Sequence, residues 1–217
     1  DGEAQLARTS WRITLIDGLG WDLDEHGTGG LINRRGEKVH LRQGDMDGAC
    51  GPYCLVMAML ARNQLGRRQA KGLAPVDSRT RYGRLMEALN QHETLVRVGT
   101  TGADLLELLK VISDKEYRVE RGNGTRMVEL TRRHLEENIP VVLGFHGRKD
   151  SDIRHWCLAV GMSDDAFFLL DPAHDLQRGL AWNAVLTTQA NGSRFGYRYL
   201  NAKGTWAVTL KEMVALF

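Results

Sequence analysis

His155-Trp156-Cys157-Leu158-Ala159-Val160-Gly161-Met162-Ser163-Asp164-Asp165-Ala166-Phe167-Phe168-Leu169-Leu170-Asp171-Pro172 decides the fold of the C-terminal part. Two apolar runs flank Ser163-Asp164-Asp165, residues that favour a turn. The pattern predicts an antiparallel hairpin about Ser163. In that register His155 falls opposite Asp171, and cross-strand neighbours share a face of the sheet. A slip of one residue would put the two on opposite faces.

Further short apolar runs surround the hairpin. Val141 to Phe145 precedes it, and Phe195 to Leu200 and Thr205 to Val208 follow, each predicted as a strand. Thr209 and Glu212 have the spacing of a capping box and predict a last short helix. The middle of the chain reads as helical. Leu55, Met59 and Arg62 lie on a run from near Cys50 to about Gly66. Tyr82, Leu85, Met86 and Leu89 form a second run. Leu105, Leu108, Leu109 and Ile112 form a third, after a start signal at Thr101 and Asp104. Met127, Leu130, Thr131, His134 and Leu135 predict a fourth, closed by Pro140. At the N-terminal end, Trp11, Ile13 and Leu15 alternate with polar residues as in a half-buried strand. Asn33-Arg34-Arg35-Gly36 reads as a turn into a second strand through Val39 and Leu41. Helices followed by a run of strands predict an α+β fold.

Composition excludes several classes. Of 217 residues, 42% are apolar and 26% charged, so disorder, collagen-like repeats and coiled coil are not expected. A net charge of +2 gives no case for a nucleic-acid binder driven by bulk charge. No apolar stretch approaches a membrane span. The sequence begins at Asp1 with no basic-then-apolar leader. The reading is a processed product or a domain cut from a longer protein. Cys50, Cys54 and Cys157 are too few for a disulfide scaffold, and an odd number leaves one thiol unpaired within the chain.

Cys50 stands where the Gly/Asp-rich loop Gln43-Gly44-Asp45-Met46-Asp47-Gly48-Ala49 meets an apolar helix. Pro52 fits the first helical turn, where its missing N–H costs nothing. A thiol at a helix start feels the positive end of the dipole, which favours the thiolate. Backbone N–H groups there can receive an oxyanion. For an arbitrary cysteine pair, the bland reading of small buried apolar residues carries more weight. Cys54 falls inside the apolar helix and reads as core.

A cysteine nucleophile needs a base. Of the seven histidines, His92 and His134 sit on predicted helices, and His26 and His40 have no clear partner. His155 opens an apolar strand and faces Asp171 across the predicted hairpin. Asp171 would hold the imidazole in one tautomer, as the third member of a triad does. His146 and His174 are reserve candidates, with Asp150 or Asp175 as partners.

Gln43, Cys50-Gly51-Pro52-Tyr53-Cys54-Leu55, His155 before an apolar strand and the Leu170-Asp171-Pro172 close together resemble papain-like cysteine peptidases. The nearest likeness is to the bacteriocin-processing branch that cleaves after double glycine. The resemblance implies a two-lobed papain-like fold, with a helical lobe over about 45–138 and a sheet lobe over about 139–217 plus the N-terminal strands, in one domain spanning 1–217. It implies Cys50 as nucleophile, His155 as general base and acid, Asp171 as its orienting residue and Gln43 as an oxyanion-hole donor. Gln43 lies one residue farther from the nucleophile than is usual in that family, and Asp45 or Asp47 competes for part of its position.

The expected function is a cysteine endopeptidase with no cofactor or metal, cutting protein substrates next to small residues such as Gly-Gly. A glutamine deamidase or transglutaminase-like toxin would use the same three residues through the same thioester. A non-enzymatic binding domain is the third reading, with a zinc variant on Cys50, Cys54, His155 and Cys157. The expected setting is an interbacterial toxin domain. It would act as a monomer in a reducing cytoplasm and be blocked by an immunity or inhibitor protein, with no nucleic acid or membrane as partner.

Overall fold

The computed structural model describes residues 12–23, 27, 29–44, 49–72, 74–91, 100–147 and 154–217. Trp11, His26, Asp45, Asp47, His92 and Asp150 lie outside the described residues. The elements run β1 (Thr14–Leu15), β2 (Gly20–Leu23), β3 (Gly29–Ile32), α1 (Cys50–Ala61), α2 (Arg67–Ala70), α3 (Arg81–Gln91), α4 (Gly102–Leu109), β4 (Tyr117–Arg121), α5 (Gly124–Glu136), β5 (Val141–Gly147), β6 (Arg154–Met162), β7 (Ala166–Leu170), β8 (Ala184–Thr187), β9 (Tyr197–Asn201) and β10 (Gly204–Leu216).

The strands close into a ring. β5 pairs with β6, β6 with β7, β7 with β8, β8 with β9, β9 with β10, and β10 returns to β5, every pair antiparallel. Six strands therefore form a closed barrel, with β1 added to β6 and β4 added to β10. This corrects the expected architecture. A papain-like helical lobe beside a sheet lobe is not what the chain builds; among the described residues there are five short helices, of which α1 and α5 pack against the barrel strands.

Three sequence features account for the difference. β8 is only four residues long, too short to stand out, yet it bridges β7 and β9 and completes the ring. The Thr209-x-x-Glu212 pattern does not start a helix: Thr209 to Leu216 lie in β10, which pairs with β5 on one edge and β4 on the other. Pairing on both edges satisfies the backbone of an apolar run that lacks a helical period. β4, Tyr117-Arg118-Val119-Glu120-Arg121, comes from the stretch expected to be helical. The predicted strand through Val39 and Leu41 is reduced to one bridge, Ile32 to Lys38, followed by an extended loop.

α1 reads Cys-Gly-Pro-Tyr-Cys-Leu-Val-Met-Ala-Met-Leu-Ala, apolar on all sides, as a fully enclosed helix must be. Only Tyr53 is not buried, and the helix lies across β6 and β5. Its first turn comes close to Thr100 and α4. A Cβ added at Gly51 would stand 3.0 Å from Leu105 and 3.1 Å from Thr100, so only glycine fits without displacement. One apolar cluster runs from Ile16 through α1 to Leu216 and joins barrel and helices. Burying such a cluster is the main favourable term in folding. Among the described residues no helix is long and apolar enough to cross a membrane.

Candidate active site

The β6–β7 hairpin positions the first two residues. Its turn sets Met162 opposite Phe167 and Gly161 opposite Phe168. Continued unbroken, that register would bring Asp171 across from Leu158, on the wrong face. Between Ala159 and Gly161 the register shifts by one residue, so Ala159 meets Leu169 and Leu158 meets Leu170. The next position places Asp171 across from Cys157, which shares a face with His155. The sequence reading set His155 directly opposite Asp171; the two are diagonal neighbours instead. The face is preserved because the observed register differs from the predicted one by an even number.

His155 Nε2 lies 2.6 Å from Asp171 Oδ1. Ala173 N–H donates to the same oxygen at 2.8 Å, and the Tyr199 hydroxyl donates to Oδ2. Asp171 is completely buried. Burial alone would raise its pKa, but the donors from His155, Tyr199 and Ala173 hold it down to about 2. Burial pushes the Tyr199 hydroxyl far up, so it stays protonated and donates. An ionised carboxylate only accepts, so Nε2 of His155 carries the proton and Nδ1 is left for other partners. Cys50 and Cys157 both act on this imidazole and favour its charged form. Burial pulls His155 down, but Cys157, Asp171 and Cys50 together push it well above the ordinary histidine range.

The two thiols differ in placement. Cys157 is fully enclosed, and burial with the nearby Asp171 charge pushes it up to about 12. Cys50 sits at the first residue of α1, at the edge of the core. Its N-cap, Ala49, has no side-chain oxygen to occupy the helix end. Cys54 is completely buried and burial pushes its thiol well up, in keeping with a packing role. All three cysteines are free thiols.

Gln43 reaches the same place from the N-terminal loop. Its N–H donates to Pro172 O at 2.8 Å, one residue past Asp171, and its side-chain oxygen is buried. The structure therefore gathers Cys50, His155 and Asp171 and ties Gln43 to the Asp171 loop. Of the reserve partners, Asp150 lies outside the described residues and Asp175 is engaged elsewhere. Asp175 pairs with Arg42 at 3.5 Å, and His174 Nε2 lies 3.8 Å from Asp171 Oδ2. His146 sits on β5 opposite Arg154.

Four further residues complete this site, and three of them have no signal in the sequence. Asn183 Oδ1 accepts from Asp171 N–H at 2.7 Å, and its Nδ2 donates to the carbonyls of Asp171 and His174 at 2.8 Å each. Those two bonds use both amide hydrogens. His40 Nε2 therefore carries its own proton and donates to Asp171 O at 2.9 Å. Burial lowers the His40 pKa and keeps it neutral. Asn201 Nδ2 donates to the Tyr199 oxygen at 3.0 Å. Only Tyr199 offered a hint: an aromatic with a polar tip inside a strand needs a partner when buried. Trp156, next to His155, is buried and donates to Thr100 O at 2.8 Å, so it joins the helical region to β6.

His155, Cys157 and Asp171 could each offer a ligand atom within 4.8 Å of the others. The hydrogen bonds argue against a metal there. Both Asp171 oxygens already accept from N–H or O–H donors. No protein-family model matches the chain, and no curated protein sequence matches it.

Proposed function

We propose that the protein is a cysteine peptidase with Cys50 as nucleophile, His155 as general base and acid, and Asp171 as the residue that orients His155. One observation carries this reading: the buried Asp171 carboxylate lies 2.6 Å from His155 Nε2 while Cys50 meets the same imidazole. The local likeness of Cys50-Gly51-Pro52, His155 and Leu170-Asp171-Pro172 to double-glycine-cleaving peptidases adds support at the level of motif.

The chemistry follows from the proton positions. With the Cys50 proton held on His155 Nδ1, Cys50 Sγ attacks the carbonyl carbon of a peptide bond, forming a C–S bond. The oxyanion is received at the start of α1, with Gln43 as second donor. Imidazolium then protonates the departing nitrogen as the C–N bond breaks. Water loses a proton to His155, attacks the thioester and releases the acid, restoring the Cys50 thiol. Asp171 stays ionised throughout and stabilises the imidazolium. The substrate class is a protein or peptide, the working compartment a reducing one, and the setting an interbacterial toxin domain.

The test is proteomics of N-termini in cells expressing wild type or Cys50→Ala. New N-termini present only with wild type are expected. An amide-to-acid change on an intact target, without new N-termini, would overturn peptide cleavage in favour of a deamidase.

A further inference from the structure

Two hollows adjoin His155. The smaller, about 110 Å³, lies toward Thr100 and Trp156 and contains Glu212. The larger, about 250 Å³, opens on the other side and has no carboxylate among its described lining residues. Its lining includes Arg154, His174 and Lys203, with Tyr199, Trp206 and Asn201. Arg154 and Lys203 make no ion pair with any described residue. Asp171, the nearest buried charge, has both oxygens occupied by donors. Arg154 and Lys203 thus line this hollow with no ion-pair partner among the described residues, while His174 lies 3.8 Å from Asp171.

Position assigns the hollow to one side of a cut. His155 lines it, and Cys50 and Gln43 do not. His155 delivers the proton to the departing amine, so the departing segment runs along the imidazole away from the nucleophile. A separate hollow of about 370 Å³ borders Ala49, Pro52 and Tyr53, on the nucleophile's side. The acyl segment belongs there.

We propose that the hollow formed by Arg154, His174, Lys203, Tyr199, Asn201 and Trp206 is the subsite for the leaving side of the substrate and that it selects a carboxylate. The inference rests on the peptidase reading. The carboxylate comes from an Asp or Glu side chain just after the cut, or from the free C-terminus of a short leaving segment. Lys203 N–H also donates to Asn201 Oδ1 at 2.8 Å, and Asn201 donates to Tyr199, which donates to Asp171. The turn that carries Lys203 is therefore fixed to the catalytic carboxylate through two side chains.

The experiment incubates a proteome-derived peptide library with wild type, with R154E/K203E and with K203E alone, and maps cut sites by mass spectrometry. Asp and Glu are expected about fivefold enriched over Asn and Gln within two positions after the cut, the factor supplied by two exposed ion pairs. The double variant should erase that enrichment and favour Lys or Arg. K203E, on an exposed turn, should shift it partway. Cuts at a constant short distance from the C-terminus, regardless of sequence, would support the terminal carboxylate as the source. Cutting without acidic enrichment, or enrichment that survives charge reversal in folded variants, overturns the subsite and leaves the peptidase reading standing. Absence of any Cys50-dependent cut overturns both.

Discussion

Cys50 and Cys157 act on one imidazole, one from the start of α1 and the other from the middle of β6. Cys157 is enclosed by the barrel and held as a thiol, pushed up to about 12. Cys50 stands at a helix start, beside a loop that connects to Gln43 and the Asp171 turn. Proximity to a base is therefore insufficient to make a nucleophile. The thiol must also have a place for the charge it will hand to the substrate, and a helix start supplies that where a strand interior does not.

The largest effect separating these thiols is expected from Cys50→Ala. Cleavage should fall to background, since no thioester can form, and iodoacetamide labelling measured by mass spectrometry should lose its fast component. A fast component that persists on Cys157 would break the comparison. Asp171→Asn comes next. An amide can donate to Nε2 and favour the wrong tautomer, so the cleavage rate should drop by about 10³- to 10⁴-fold with the fold retained. Tyr199→Phe removes one donor to Asp171 and should cost less, about tenfold, because hydrogen bonds to a charged group contribute about 1.5–3 kcal/mol. Its signature is an upward move of the acid limb of the pH–rate profile.

Stability should depend on pH at both ends. His155 lies above its ordinary value of 6.5, so its contribution is complete below 6.5 and fades as pH rises through the raised value. Asp171, ordinarily 3.8, is held down to about 2, so its contribution is complete above 3.8 and is lost as pH falls toward 2. Thermal unfolding of wild type should show both slopes. His155→Ala should flatten the alkaline one and Asp171→Asn the acid one. The smallest effect is expected from Cys157→Ala. Cleavage should stay near wild type, while the small cavity costs about 1 kcal/mol in chemical denaturation. A large loss of activity there, in a folded protein, would assign Cys157 a chemical role.

Local pattern carried much of the site and less of the fold. The apolar runs of β6 and β7, the Asp-rich turn and the Gly-Pro start of α1 are all contiguous signals, and they locate His155, Asp171 and Cys50. Asn183 and Tyr199 stand 12 and 28 residues from Asp171 and meet it only because the barrel closes. Closure depends on β8, four residues long, and on a 13-residue β10 whose middle mimics a helix cap. Neither pairing is visible in a single sequence, since the partners lie far along the chain and their affinity is for a shared ring. His40 carried no signal either. The alternation of Val39 and Leu41 puts His40 on the polar face, yet all three are buried.

The shifted register between Ala159 and Gly161 gives the hairpin a parity. Strand positions count modulo two, and the turn alone supplies the wrong remainder for chemistry. One unpaired residue corrects it. Insertion or deletion of a single residue within the paired stretch of either strand therefore inverts the answer and leaves Asp171 facing away from His155. A paired change of two restores it.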